Sequence, residues 1–346
     1  MSSIEFGPVS LPDEHARAGA LQRHAALLTP ERSMGRLERL GAWVSACQGR
    51  TPPKPLRRMR VVVFAADHGV VARGVSRGGP GTTRELLTAL DAGGTALNVL
   101  ADTAGAGIRV VDVGTDGDAT GPDHVRRGSG SIDVEDALTE DETVAAVRAG
   151  MRAADAEVDE GADLLVAADI GAGVTTPASA LVASLTDTEP VAVIGRGSGI
   201  DDNGWMRKAT VVRDALRRCR AVTGEPLALL RTAGGADLAA MTGFLAQAAV
   251  RRTPVVLDGL PSAAAALLAE ELAPGARSWW LAAHRAAEPA QVLALNHLDL
   301  DPVVDLDIRL GAGAGAATVL PLLSAAVRLL TDVADKPTLP ADADIT

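Results

Sequence analysis

Aromatic side chains are scarce in this sequence, and tyrosine is absent altogether. Aromatic residues make up 2% of the 346 residues, although hydrophobic residues reach 47%. The interior must therefore be built mainly from Ala, Val and Leu. Charged residues account for 22%, so the composition predicts a folded chain with a sizeable core rather than a disordered one. The length suits one large α/β domain with an appendage, or two domains.

Cysteine and long apolar runs are also scarce. Cys47 and Cys219 are too few and too far apart to indicate a metal site or a disulfide framework. The first residues lack the basic segment followed by an apolar one that marks a targeting signal. No uninterrupted apolar run approaches the length of a membrane span. We therefore expect a soluble cytoplasmic protein without a membrane partner.

Positive charge is limited, since the net charge is −11 and the only lysines are Lys54, Lys208 and Lys336. This balance argues against a nucleic-acid partner, which would call for a basic face. It leaves room for a small anionic ligand, which needs only a local positive potential. Lys208 is the only lysine within the strand–helix region. It is either a cation that faces a phosphate or an ordinary exposed helix residue.

The stretch 164–202 is the most informative part of the chain. Two short apolar runs, 164–168 and 191–194, are typical of buried parallel strands, and each opens into a glycine-rich turn, at 171–173 and 195–199. Backbone N–H groups beside a helix N-terminus attract phosphate. Two such turns at the carboxyl ends of neighbouring strands would form one anion cradle. Alternatively, these glycines serve only to make tight strand-to-helix turns.

Threonine marks two predicted helix starts. Thr175 and Thr176 precede Pro177, and threonine caps exposed N–H groups while proline fits the first helical position. Thr139 is followed by acidic residues, which the helix dipole favours in the first turn. We expect the helix after Thr139 to extend to about residue 160.

Strand-like segments alternate with helical ones along most of the chain. The predicted strands cover residues 61–66, 108–113, 164–168, 191–194, 254–257, 279–283 and 303–306. This alternation is typical of βαβ units and predicts an α/β fold with a mostly parallel sheet. Residues 1–57 contain no predicted strand. We expect them to form a small helical domain with the C-terminal helix in 316–346, beside an α/β domain at 58–315.

Polar residues at the ends of predicted strands and in the loops after them form a coherent set, namely Asp67, His68, Asp169, Asp258, His284, Arg285 and Glu288. The histidines could act as general bases or metal ligands. The alternative for each residue is a structural one, in which it caps a loop or hydrogen-bonds to a neighbouring strand. The spacing fits no known metal signature, and no G-x-G-x-x-G follows the first strand. We therefore expect neither a metal nor another cofactor.

Longer motifs run through the chain in a fixed order. They read VVVFAADHGVVARGVS, DAGGTALNVLAD, IGAGVTT, VAVIGRGSGIDDNGWMRK, GGADLAAMTGFLAQAAVRRTPVVLDG, HRAAEP and DIRLGAGAGAA. In this order they resemble the nicotinate-nucleotide:5,6-dimethylbenzimidazole phosphoribosyltransferase family. The resemblance covers residues from about 59 to 330, which is nearly the whole chain.

The resemblance implies a doubly wound α/β domain with a small helical domain, usually assembled as a homodimer with the active site near the interface. It also implies transfer of 5-phosphoribosyl from nicotinate mononucleotide to an aromatic base or phenol, with release of nicotinate. In the family, this reaction activates the lower ligand of cobalamin. The nucleotide already carries a cationic pyridinium as its leaving group, so the resemblance implies no metal or other cofactor.

The resemblance also implies a division of labour among the site residues. The family's phosphate-binding motifs match Gly171, Gly173, Thr175, Thr176, Gly195, Gly197, Ser198 and Lys208. Its nicotinate and acceptor motifs match Asp67, His68, Ser76, His284, Arg285, Glu288, Gly311, Ala312 and Gly313.

The sequence departs from the family pattern chiefly at the acceptor end. Ala312 stands where the family has the glutamate proposed as general base, and residues 78–79 replace an aromatic wall. Val174 replaces an asparagine of the first glycine loop. Asp169 keeps the acidic residue expected before that loop, and Glu85 stands where the family has a glutamine. Glu85 and Asp169 are therefore the candidate catalytic carboxylates.

These departures leave two hypotheses. The chain is a phosphoribosyltransferase that uses nicotinate mononucleotide with an altered acceptor. Alternatively, it is a catalytically weak homologue that binds the nucleotide or forms a heterodimer with a related active subunit.

Overall fold

The computed structural model describes residues 4–118 and 121–337, which contain a five-stranded sheet surrounded by helices. The strands are β1 (Met59–Ala66), β2 (Gly107–Gly114), β3 (Leu164–Ile170), β4 (Val255–Leu257) and β5 (Trp280–Ala282). The helices are α1 (Glu14–Ala26), α2 (Arg36–Gln48), α3 (Thr82–Asp91), α4 (Ala96–Ala104), α5 (Glu140–Asp159), α6 (Thr175–Leu185), α7 (Pro190–Val193), α8 (Asp202–Cys219), α9 (Pro226–Ala233), α10 (Ala236–Val250), α11 (Leu260–Leu272), α12 (Pro289–Leu298) and α13 (Ala314–Asp332). Short 3₁₀ helices cover Gly69–Arg73 and Ala276–Trp279.

All pairs in the sheet are parallel, and the strand order is β2-β1-β3-β4-β5. Every residue of β3 is buried, as expected for an apolar strand covered on both faces. The chain leaves β1 toward β2 on one side and continues to β3, β4 and β5 on the other. This is a doubly wound order, and its switch point lies between β1 and β3, where such sheets bind ligands outside the strand ends. The predicted α/β fold is confirmed.

Aliphatic side chains and small residues build the core. Phe64 and Phe244 form an edge-to-face pair with ring centroids 5.4 Å apart. Helices α5 and α10 can approach closely because Gly150 and Gly243 have no side chain. A Cβ at either position would collide with the backbone of the facing helix. Close packing through small residues and alanine explains how the chain fills its interior with so few aromatic rings.

Two of the predicted strands are wrong. Residues 191–194 belong largely to the short helix α7, because Pro190 takes its first position and a run of four apolar residues does not by itself separate strand from helix. Residues 303–306 contribute only a single bridge, between Val304 and His284. The glycine loop at 195–199 therefore follows a helical turn and not a strand.

The chain divides into two compact units. The first comprises Met1–Leu11 and Arg57–Val319 and contains the whole sheet. The second comprises Pro12–Leu56 and Leu320–Thr346. Residues 4–11 thus belong with the α/β unit.

Within the second unit, helices α1, α2 and the later part of α13 share a small core. Ala20, Ala42 and Leu330 are each at most 1% exposed. A Cβ on Gly41 would lie 2.9 Å from the carbonyl oxygen of Ala326, so glycine permits close contact between α2 and α13.

Among the described residues, α13 is the one helix long and apolar enough to cross a membrane by length and composition. Of its most apolar stretch, 56% is buried inside the structure. Core helices of soluble proteins show such burial and pass the same test.

Candidate active site

The loops after β1 and β3 are joined by one threonine hydroxyl. Thr83, on the first turn of α3, donates to Asp67 Oδ1 at 2.5 Å and accepts a hydrogen bond from the backbone N–H of Ala172 at 3.0 Å. The other carboxylate oxygen of Asp67 accepts from the N–H of Asp116 at 2.8 Å. Asp67 therefore ties together three loops at the switch point.

His68 is buried and hydrogen-bonded on both sides of its ring. Its Nε2 lies 2.9 Å from Asp237 Oδ2, and its Nδ1 lies 3.3 Å from the hydroxyl of Ser129. A Cβ on Gly235 would approach the ring to 2.6 Å, so the backbone closes over it. With both nitrogens engaged, His68 connects α10 to the loop at Ser129.

The first glycine loop leads directly into α6. Gly171 allows close contact with β1, because a Cβ there would lie 2.7 Å from the carbonyl oxygen of Ala66. Gly173 adopts φ 86°, a left-handed conformation that favours glycine. The helix starts at Thr175 as predicted, but neither threonine caps it through its side chain. The hydroxyl of Thr176 is buried without a hydrogen-bond partner among the described residues.

Lys208 is fully buried and not an exposed helix residue. Its Nζ donates to Thr175 Oγ1 at 3.0 Å, which places the ammonium group at the N-terminus of α6. Burial lowers the pKa of Lys208, while the nearby carboxylate of Glu288 raises it. A buried cation beside the positive end of a helix dipole is an arrangement suited to receive an anion.

Glu288, which the family resemblance assigns to the nicotinate or acceptor end, contacts the second glycine loop. Its Oε1 accepts from the N–H of Gly197 at 2.8 Å, and its Oε2 lies 4.0 Å from Lys208 Nζ. Oε2 is buried and has no hydrogen-bond partner among the described residues. Gly195 leaves room for the carboxylate in this position, which a Cβ there would displace.

The second glycine loop also holds the segment assigned to the acceptor pocket. Ser198 Oγ accepts from the N–H of Arg77 at 2.8 Å and lies 3.3 Å from the hydroxyl of Ser76. The phosphate and acceptor segments thus meet through one serine side chain. The structure thus brings Ser198 and Ser76 next to each other.

The two candidate carboxylates differ in their surroundings. Asp169 is the penultimate residue of β3, close to the first glycine loop, and is 7% exposed. Burial raises its pKa well above the ordinary value, and the neighbouring carboxylates of Asp237 and Asp258 raise it further. Glu85 is exposed on the first turn of α3, one residue from Arg84 and two from Thr83.

The loop before α13 is fixed by Asp258. Its Oδ2 accepts from the N–H of Gly313 at 2.9 Å, and its Oδ1 accepts from the N–H of Ala316 at 2.8 Å. The pKa of Asp258 is raised, chiefly by burial. Ala312 in this loop is partly buried and adopts φ 60°. The loop presents no carboxylate of its own at that position.

His284 packs onto the same loop, where a Cβ on Gly315 would collide with its ring. It is 1% exposed, and neither ring nitrogen has a hydrogen-bond partner among the described residues. Nε2 lies 3.8 Å from Asp258 Oδ1. By contrast, Arg285 and Gly311 are exposed.

The candidate site combines two glycine loops, a buried lysine and buried carboxylates near the switch point of a doubly wound sheet. The sequence matches the phosphoribosyltransferase family DBI_PRT over residues 9–338. The chain belongs to this phosphoribosyltransferase family.

Curated relatives and solved structures agree with this membership. Nicotinate-nucleotide–dimethylbenzimidazole phosphoribosyltransferase of Mycobacterium marinum is 58% identical over 335 residues, covering 96% of this chain and 94% of the relative. The protein of the same name from Mycobacterium tuberculosis is 57% identical over 335 residues, covering 96% and 93%. The crystal structure of CobT from Thermus thermophilus superposes with a TM-score of 0.87 at 41% identity, covering 91% of this chain and 96% of that one.

Sequence reasoning missed two residues that hold this family member's site together. Thr83 links Asp67 to the first glycine loop, and Asp237 holds His68. Asp237 lies in the first turn of α10, after the glycines at 234–235, where the helix dipole favours an acidic residue. The partner of Asp237 lies 169 positions away, so only the fold brings the pair together.

Proposed function

We propose that this protein transfers the 5-phosphoribosyl group of nicotinate mononucleotide to an aromatic base of the dimethylbenzimidazole type, releasing nicotinate. The names of its relatives support this substrate pair. The observation that carries the proposal is the buried ammonium group of Lys208 at the N-terminus of α6.

The anion cradle suits the 5′-phosphate of such a nucleotide. Lys208 uses one of its three ammonium hydrogens on Thr175, which leaves donors for phosphate oxygens. The N–H of Gly197 points into the same space, since the carboxylate that it binds also faces Lys208. Low exposure strengthens charge-assisted hydrogen bonds to a phosphate in this position.

Beyond phosphate binding, the reaction requires alignment of the acceptor and removal of one proton. The cationic pyridinium nitrogen of the nucleotide becomes neutral when nicotinate leaves. The leaving group therefore needs no proton. Anchoring the phosphate fixes the ribose, and aligning the acceptor nitrogen lowers the barrier by several kcal/mol. The acceptor must also lose a proton after its nitrogen attacks, and a positioned base adds about 10²–10⁴-fold.

Asp169 is the candidate proton acceptor. Its raised pKa makes it a stronger base, when deprotonated, than an exposed aspartate. It is the penultimate residue of the strand that leads into the first glycine loop, so a nucleotide anchored there brings the reacting centre toward it. Glu85 acts from the acceptor side, where its exposed carboxylate contacts the incoming base.

Ala312 favours a second candidate function, in which the chain binds the nucleotide but transfers slowly or relies on a related subunit. A single assay separates the two. The purified protein is mixed with nicotinate mononucleotide and a panel of benzimidazoles and phenols, and nicotinate release is followed by chromatography. Acceptor-dependent release supports the transferase. Nucleotide binding without release with any acceptor contradicts it and supports the second candidate.

A further inference from the structure

The Glu288 side chain places a carboxylate inside the proposed phosphate cradle. One oxygen accepts the N–H of Gly197 at 2.8 Å, and the other lies 4.0 Å from Lys208 Nζ. The group rests against Gly195, where a Cβ would collide with it. The cradle therefore already contains an internal anion.

A bound phosphate and this carboxylate would compete for the same partners. The Gly197 N–H has one hydrogen, which the Glu288 carboxylate occupies. Lys208 supplies a single positive charge in a buried site. A phosphate monoester carries about −1.5 to −2 charges at neutral pH, so the cradle would hold an excess of negative charge if both anions stayed. Like charges in a poorly solvated site repel strongly.

The Glu288 carboxylate is held only in part. Its Oε2 is buried, with no hydrogen-bond partner among the described residues. Glu288 also occupies the N-cap position of α12, yet its side chain makes no cap hydrogen bond. A carboxylate that left the cradle could turn toward the N-terminus of its own helix, where negative charge is favoured. Displacement therefore leaves the carboxylate with an alternative position.

We infer that Glu288 is an internal competitor for the phosphate cradle, and that it makes the cradle selective for ligands bearing a dianionic phosphate monoester. An uncharged ribose hydroxyl or a singly charged anion offers too little electrostatic gain to displace the carboxylate. The inference rests on the proposed function, because it concerns the cradle assigned there to the 5′-phosphate.

The test compares Glu288→Gln, Glu288→Ala and the matched control Glu271→Gln, whose side chain is exposed on α11. Isothermal titration calorimetry measures the dissociation constants of inorganic phosphate and of nicotinate mononucleotide. Both Glu288 variants are expected to bind phosphate about tenfold more tightly than the wild type, since no charged group must be displaced. The control is expected to stay within about twofold.

A thermal melt gives a second readout. Without its carboxylate neighbour, buried Lys208 loses a stabilising partner, so both Glu288 variants should melt below the wild type in phosphate-free buffer. Added phosphate should raise their melting temperature more than it raises that of the wild type, in line with tighter binding.

Lys208→Met separates the possible failures. If this variant loses phosphate binding while Glu288→Gln binds phosphate no more tightly than the wild type, the competitor role is overturned and the proposed function stands. If Lys208→Met binds phosphate as the wild type does, the cradle is misassigned and both proposals fail.

Discussion

Lys208 Nζ donates a hydrogen bond to Thr175 Oγ1 across 3.0 Å, although 33 positions separate the two residues in the sequence. This contact fixes the one fully buried lysine at the N-terminus of α6. Helix N-termini favour anions and disfavour cations, so the arrangement is costly unless negative charge is present. Glu288 supplies that charge in the structure, and the 5′-phosphate supplies it in the proposed reaction.

Asp169→Asn should reduce turnover by about 10²–10⁴-fold, because it removes the proposed proton acceptor. The wild-type rate should rise with pH through the raised pKa of Asp169, since only the deprotonated carboxylate accepts a proton. The variant should lose this rising limb while its KM for nicotinate mononucleotide changes little. Initial rates across pH measure both effects. A variant that keeps the wild-type pH profile would rule Asp169 out as the base.

The raised pKa of Asp169 also predicts that the free energy of unfolding depends on pH. Because the folded-state pKa of Asp169 is raised above its unfolded value, its contribution favours folding at low pH. That contribution is lost as pH rises through the folded-state pKa. Asp169→Asn should therefore show a weaker loss of stability with rising pH than the wild type. Urea unfolding at several pH values measures the difference, and parallel curves would count against this assignment.

Ala312→Glu should raise transfer to dimethylbenzimidazole by about tenfold or more, because it introduces a carboxylate at the loop position where the resemblance implies a general base. Ala312 already adopts φ 60°, so the exchange adds no new requirement on the backbone. Ala312→Gln is the matched control, with the same length and no charge. If both variants fold and bind nucleotide and neither gains activity, the open wall at residues 78–79 becomes the better explanation for an altered acceptor.

Glu85→Gln should lower turnover by about tenfold while leaving nucleotide affinity within about twofold. Glu85 is exposed on the segment that the resemblance assigns to the acceptor, whereas the proposed phosphate ligand Lys208 is fully buried. Glu140→Gln, an equally exposed first-turn change on α5, serves as the control. Steady-state kinetics with each substrate varied in turn separates the two effects. An equal loss in both would show that Glu85 supports the nucleotide site.

Thr83→Val should destabilise the protein by about 1–3 kcal/mol, because the change leaves Asp67 Oδ1 without its donor and the Ala172 N–H without an acceptor. Thr88→Val, at an exposed position of the same helix, should cost less than about 0.5 kcal/mol. Urea unfolding measures both. Equal losses would show that the Thr83 hydroxyl does not join the two loops as described.

Local patterns predicted much of the fold. The apolar runs of β1 and β3 stand out in the sequence because both strands are buried. A threonine before an acidic turn favours a capping box, and Thr139 forms one with Glu142. The strand prediction for residues 191–194 is wrong because a run of four apolar residues is too short to distinguish helical from strand periodicity. Pro190 in front of them was the signal for a helical start.

The site was only partly readable from the sequence. Glycine turns and a rare lysine mark the cradle, because they are local or compositional signals. The hydrogen bond from Gly197 to Glu288 joins residues 91 positions apart, and its existence depends on where α12 begins in space. The burial of Lys208 likewise follows from packing of α6 against α8, and the spacing of residues in the sequence does not reveal this packing.

Nucleotide binding by Lys208→Met tests the account most directly. Methionine keeps the length of the buried side chain and removes its charge, and Lys54→Met, at an exposed position, controls for loss of a lysine. We expect Lys208→Met to fold but to bind nicotinate mononucleotide about 10–100-fold more weakly, with nicotinate release falling in parallel. A folded Lys208→Met variant that binds the nucleotide as tightly as Lys54→Met would contradict it.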